Sequence, residues 1–458
     1  MIKKTCTFII FAFLIFSIFT VFFPIGKCEE TSGNTLYVGG TGTGNYSKIQ
    51  DAIDVSNEGD TIYVYSGIYY EFVVWVDKSI DLVGENRDTT IIDGTGGDVV
   101  HIGADWVNIT GFTIQNGSDR GIDIYSLNNT IAGNTIKSNG CGININLGWA
   151  FYSNITGYST ISGNIITHNN EDGICLRDVS NVIITENNIT NNNNGISIQG
   201  FSYSATISNN TLTSNGDCGI KVTTGSRNNI FGNTIVNNKD GLDLIMSYYN
   251  TISDNIIKDN NDCSINLSGS NFNTIQKNNI TNTKNNGISL TASSYCDIFD
   301  NIISNSANYG IYLFFALNNT IADNIIKENG YGMYIKNFSV MFENLSGYEN
   351  LSKIIDTNNI IHHNKFIDNE HNAYDEYNNI WDNGYPSGGN YWDDYTGEDT
   401  NDDGIGETPY DIPGGENKDF YPLGYFKKEG NESKTPGLEL IIAICAIALV
   451  LFWKKKRI

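Results

Sequence analysis

The sequence predicts an all-β fold: a right-handed parallel β-helix of about 22–23-residue coils, with an N-terminal capping helix and a C-terminal membrane helix. Three observations predict it. Asparagine recurs three residues after an isoleucine at 134, 164, 187, 210, 233, 255, 278, 301, 324 and 364. A second polar row follows five residues later, from Asn139 to Asn369, with Thr283 and Ser306 as its exceptions. A glycine precedes the first isoleucine, leucine or methionine of nearly every coil, from Gly121 to Gly332, and Ser264 stands in its place once.

Each coil thus reads G-I-x-[I/L], a variable turn, then T-I-x-x-N-x-I-x-x-N. A leucine-rich repeat shares the period but needs a helix-favouring segment; these coils offer three short β-branched runs broken by Gly and Asn. Alternate Ile and Leu are expected to point inward as stacked columns. The asparagines are expected at corners, taking left-handed backbone and bonding to one another along the axis. The steps of 30 (134 to 164) and 40 (324 to 364) imply loops inserted within single coils.

The elements follow in order. Residues 1–28 open with Lys3 and Lys4, then have a long apolar run and the small residues Gly26 and Cys28 before Glu29, the layout of a secretory signal. Residues 34–120 form an N-terminal cap and the first coils, with Ile49, Ala52 and Ile53 as one apolar helical face. Residues 121–375 carry the repeats, with an insertion at 336–357; 376–428 close the stack, and 429–437 are a linker. Residues 438–458 are a membrane anchor with a basic tail. The apolar run 440–453 spans about 21 Å against a hydrocarbon core of about 30 Å, and Trp453 with the terminal lysines extends it. A net charge of −24 argues against nucleic acid as a partner.

The segment "YSKIQDAIDVSNEGDTIYVYSGIYYEFVVWVDKSIDLVGENRDTTIIDG", residues 46–94, resembles the opening of NosD-like right-handed β-helix proteins of the pectin-lyase-like superfamily. "GGNYWDDYTGEDTNDDGIGETPYDIPGGENKDFYPLG", residues 388–424, resembles the segment that closes many of them. The "TPG" before the last apolar run is similar to the tails of archaeal surface proteins. The resemblance implies the fold; lyases, hydrolases, epimerases, adhesins and proteins without known chemistry share it. It also raises copper. The histidines are His101, His168, His362, His363 and His371, and His362 and His363 are expected on opposite faces of a strand, so no copper set is expected.

The expected function is a cell-surface protein that binds carbohydrate or serves structure, without catalysis; the alternative is a polysaccharide lyase, glycoside hydrolase or epimerase. Tyr309, Tyr312, Tyr331 and Tyr334 repeat at 22 residues and so stack, with Tyr312 and Tyr334 facing outward. Exposed rings suit pyranose faces; packing of the 336–357 insertion on them is the competing reading. The nearest approach to a catalytic group is Lys221, Asp240, Asp243 and Asn266, read as a surface ion pair. "DTNDDGIGE" places Asp399, Asn401 and Asp403 before Gly404, with the Ile405 carbonyl and Glu407, in the order of an oxygen-ligand calcium loop; position twelve is Tyr410, unlike an EF-hand. Asn337, Asn344 and Asn350 are glycosylation sequons in the insertion. Cys141, Cys218 and Cys263 share a repeat position, coils apart, and are read with Cys175 and Cys296 as unpaired.

Overall fold

A computed structural model of the chain describes residues 33–148, 157–336 and 357–424. The signal segment, the three sequons of the insertion and the membrane anchor lie outside the described residues. Among the described residues, no helix is long and apolar enough to cross a membrane.

Each coil contributes one strand to each of three parallel sheets, which hold 14, 14 and 13 strands among the described residues. In chain order within a coil, T-I-x enters the first sheet, the next β-branched triplet the second, and the G-I-x-[I/L] run the third. Thr251–Ser253, Ile256–Lys258 and Ile265–Ser268 are one such set. The solenoid is right-handed with about 14 turns, as parallel crossovers within one sheet almost always are. Ile and Leu at inward positions, such as Ile252, Ile257, Ile265 and Leu267, are fully buried. A helix, Ile49–Val55, packs Ile49, Ala52 and Ile53 against the first strands.

The asparagine rows are ladders. Asn233 is typical: its Oδ1 accepts from the Asn210 backbone N–H at 3.0 Å and from Asn210 Nδ2 at 3.0 Å. Its own Nδ2 donates to the Ile207 and Phe231 carbonyls and to Asn255 Oδ1. The inserted loops leave this pattern intact, for Asn134 donates to Asn164 and Asn324 to Asn364. One expectation is corrected. The left-handed residue is the one before each ladder asparagine, such as Glu186, Asn209, Lys277 or Asp300, with φ of 55–57°. The asparagine itself must aim its amide inward, so the preceding residue turns the corner and points its side chain to solvent. A third row at the remaining corner, including Asn228, Asn250, Asn273, Asn319 and Asn359, was not recognised from the repeat.

The repeat's exceptions explain one another. A Cβ at Gly219, Gly241 or Gly310 would sit 3.0–3.2 Å from the next ladder amide and 2.4–2.7 Å from the next coil's carbonyl. Ser264 is tolerated because the ladder residue opposite is Thr283, and their hydroxyls lie 2.7 Å apart. The break leaves Asn260 Nδ2 and the Ser306 hydroxyl without partners. Thr283→Asn alone should therefore destabilise by about 1 kcal/mol through crowding against Ser264. Thr283→Asn with Ser264→Gly should exceed the parent by about 1 kcal/mol, because both orphaned groups regain partners. Thermal melts of the two singles and the double decide this; additive effects would refute the coupling.

Candidate functional site: the outer face of the third sheet

Strands of the third sheet alternate inward aliphatics with outward polar or aromatic residues. Register sets one outward row along the axis: Trp75, His101 and Asp123, then Asn144, Cys175 and Ser197. It continues through Lys221, Asp243, Asn266 and Ser289 to Tyr312, Tyr334 and Tyr374. At about 4.8 Å per strand the row is roughly 60 Å long. It has three chemically distinct stretches.

At the N-terminal end, the His101 ring stacks on Trp75 at 3.9 Å and on Tyr125 at 5.2 Å. Arg120 Nη1 lies 3.1 Å from Asp123, 3.4 Å from Asp119 and 3.7 Å from Asp98. Asp123, buried, also accepts from Asn144 Nδ2 at 2.7 Å. Burial and the neighbouring Asp123 push the Asp98 carboxyl up to about 6, while burial lowers His101. Sequence reading missed this group because its coils precede the asparagine ladder that marks the repeat; the signal was "DVVHIG" aligned on "RGIDIY".

In the middle, Lys221, Asp243 and Asn266 do share the outward position, but the ion pair is a different one. Lys221 and Lys239 both hold Asp217, at 3.1 and 3.0 Å. Asp243 instead accepts from Asn266 Nδ2, and Asp240 accepts from the Cys263 N–H and lies 3.8 Å from Lys239. Burial raises both carboxyls. Each is already held by a neutral donor, so the two do not form a carboxylate pair around a shared substrate position.

At the C-terminal end, Tyr309, Tyr312, Tyr331 and Tyr334 form one cluster with ring centroids 4.9–6.2 Å apart. Tyr312 and Tyr334 are half-buried on the outer face, above the fully buried Ile311 and Met333. The cluster continues through Tyr334 onto Tyr374 at 4.9 Å and through Tyr331 onto His371 at 4.5 Å. Burial and Glu376 raise Tyr334 above the usual phenol range, and its hydroxyl donates to Glu376.

Beside this cluster runs a groove of about 1200 Å³, between the last coils and the closing segment. Tyr331, Tyr374, Tyr410 and His371 supply its rings, and Glu328, Asp368, Glu370, Asp393 and Asp394 its carboxylates. No Lys or Arg is among the described residues that line it. Of the four predicted tyrosines only Tyr331 lines the groove; the other three belong to the ring cluster beside it. His371 and Tyr374 were missed because the 40-residue step hides that they stack on Tyr331 and Tyr334.

The predicted calcium loop is ordered by its own backbone. Asp399 accepts from the Asp403 and Gly404 N–H groups, Asn401 from Asp403, and Asp403 from Ile405. Glu407 accepts from the Thr400 N–H and hydroxyl. Among the described residues, three groups bring metal-ligating atoms within 4.8 Å: Asp98–His101–Asp123, Asp217–Cys218–Asp240 and Asp240–Asp262–Cys263. The calcium loop is not one of them. The five described cysteines are free and buried.

A parallel three-sheet solenoid with an outer row of polar and aromatic groups defines the chain as a β-helix protein. A family profile described as right handed beta helix region matches residues 97–250, and one described as periplasmic copper-binding protein (NosD) matches 237–397. The chain is a NosD-like right-handed β-helix protein. No curated sequence matches it. Among solved structures, the Dettilon tailspike protein is 17% identical, covering 66% of this chain and 64% of that one, with a TM-score of 0.46. The A-module of the Azotobacter vinelandii mannuronan C-5 epimerase AlgE6 is 15% identical, covering 72% and 92%, with a TM-score of 0.48. The periplasmic alginate epimerase AlgG is 15% identical, covering 64% and 80%, with a TM-score of 0.40.

The family's name raises copper, and the described residues do not fit it. Copper needs several imidazole or sulfur ligands on one centre. His362 and His363 do converge, with Nδ1 atoms 2.6 Å apart, correcting the expectation of opposite faces. His363 sits at a left-handed corner (φ 56°) rather than in the strand, which swings its ring back. Yet neither belongs to a three-ligand group, and His363 Nε2 is engaged by the Ser387 carbonyl. Each group that does converge contains a single His or Cys. Burial raises the thiols, Cys263 to about 12 and Cys218 also well up, and Arg120 sits against both carboxylates of the one described group that holds a histidine.

Proposed function

We propose that the protein is an exported, membrane-anchored surface protein whose β-helix binds glycan non-catalytically at the C-terminal groove. The observation that carries this reading is the tyrosine-walled groove at the end of a polar row roughly 60 Å long. Tyrosine rings offer flat apolar faces with polar tips, which suits sugar rings. The apolar segments at both ends of the chain support export and anchoring. A glycan array probed with the full-length protein, scored for binding and for cleavage products, tests it. Tyr331→Ala and Tyr374→Ala should each weaken binding about tenfold; unaltered binding would move the site elsewhere.

A second reading, a polysaccharide-active enzyme, rests on the N-terminal group. There Asp98, held near pKa 6, lies beside an imidazole and partly exposed Trp75 and Tyr125 rings, a setting suited to acid–base chemistry. Cleavage or epimerisation products on the array, lost in Asp98→Asn, would favour it.

Calcium is the proposed cofactor, held by Asp399, Asn401, Asp403, Glu407 and the Ile405 carbonyl. The three Asx side chains already converge on the loop's own amides, and Glu407 would turn from Thr400 to complete the set. Calcium should raise the melting temperature by a few degrees and protect residues 388–424 from protease. A melt and digest unchanged by chelation would reduce the loop to an acidic turn.

A further inference from the structure

We infer that the C-terminal groove selects sugars that carry a free amine. This rests on the glycan-binding reading and names the class of sugar. Five carboxylates line the groove; Glu328 is paired with Lys327 at 3.9 Å, the other four have no such cation against them among the described residues, and the lining described contains no Lys or Arg. The contacts that reach Asp393 and Asp394 come from neutral donors. Asn372 Nδ2 donates to both at 2.9 Å, the Asp368 N–H to Asp393, and the Tyr410 hydroxyl to Asp394 at 3.1 Å. Neutral donors satisfy lone pairs but leave the charge, so the groove keeps a negative potential that its low-dielectric walls focus inward. A uronate would be repelled there. A neutral sugar would gain ring contact only.

An ammonium group gains twice, from the carboxylates and from the tyrosine faces that attract cations. The aromatic wall is a second feature beside the acids: Tyr331, Tyr374 and Tyr410 come from two coils and the closing segment. Ser306, whose buried hydroxyl has no partner, is also among the residues of the groove wall.

The test compares glucosamine, N-acetylglucosamine and polyuronate hexamers by calorimetry on the full-length protein at low and high salt. The glucosamine hexamer should bind at least tenfold tighter than the acetylated one at low salt, and this preference should shrink as salt rises. Asp368→Asn with Glu370→Gln, both exposed carboxylates, should cut the preference severalfold by weakening glucosamine binding more than acetylated binding. Equal affinities, a preference for the acetylated or uronate hexamer, or no salt dependence would overturn the inference but leave glycan binding standing. Failure of all three hexamers, together with a blank array, would remove both.

Discussion

Deletion of residues 287–309 is expected to leave a folded, cooperatively melting protein, whereas deletion of 287–297 should abolish cooperative unfolding. The first removes one whole coil of 23 residues, and the rows close up in register. Asn278 then meets Asn324, Thr283 meets Asn329, and Asn273 meets Asn319. The row on the outer face joins Asn266 to Tyr312. The excised coil also holds Cys296 and Ser306, which interrupt two ladders, so the shortened stack has fewer defects than the parent. Each coil contacts mainly its two neighbours, and stability is close to a sum over such units.

The shorter deletion leaves a coil with its third-sheet strand removed, too short to circle the core. Ile298 and Ile303, both fully buried, would lose their places in the aliphatic columns, and each misplaced side chain costs about 2–5 kcal/mol. Circular dichroism melts with a denaturant series separate the two constructs. Comparable loss of structure in both would mean that the coil boundaries are wrong.

The period, the inward isoleucines and the glycine rule were legible because every coil must reproduce the same contacts, so the requirement is written many times over. What was not legible is written once. The left-handed corner favours Gly, Asn and Asp, as at Gly232, Asn209 and Asp300, but also takes Glu186, Lys277, Phe272 or Tyr295, since the side chain leaves the core there; beside the more regular ladder asparagines this weaker preference is easily overlooked. The third ladder mixes asparagine with Cys296 and Ala205, whose own N–H groups donate to a neighbour's amide oxygen while their side chains offer no amide in return. At the site, Tyr331 was readable from its 22-residue spacing to Tyr309. Tyr410 and Asp394 were not, because the closing segment follows no repeat and reaches the groove only through tertiary packing. Asp98, His101 and Arg120 escaped for a related reason: their coils lack the asparagines that set the alignment.

Asp419→Ala should destabilise the C-terminal end by about 4 kcal/mol at pH 7.5, among the largest single-residue effects expected here. A ladder of asparagines donates from each coil to the next, so the last amide needs an acceptor that need not donate onward. The first row runs from Asn364 to Asn390 and stops at the fully buried Asp419 carboxylate. That carboxylate accepts from the Asn390 N–H at 2.7 Å, Trp392 Nε1 at 2.9 Å and the Tyr421 N–H at 3.0 Å. Gly389 makes room for it; a Cβ there would lie 1.8 Å from Oδ1. Asp375 plays a related part in the third row, accepting from Asn379 Nδ2, Trp381 Nε1 and the Tyr377 N–H, while the Asn379 N–H donates to Asn417 Oδ1. Alanine at 419 strands several buried donors at once, and Asp375→Ala should act likewise.

Burial pushes both carboxyls up to about 6, against the pull of these donors. The native state therefore holds the two protons more tightly than the unfolded chain, whose aspartates titrate near 4. This contribution is full below about pH 4 and is lost as pH rises through about 6. The wild type should thus gain stability on acidification from pH 7.5 to 5, and the Asp375→Asn/Asp419→Asn pair should show a flatter profile over that window. The net charge of −24 also favours acidification, but the variant removes only two of those charges. An unchanged slope in the double variant would assign the pH dependence to the surface; a wild-type melt for Asp419→Ala would show that the ladder needs no terminal acceptor.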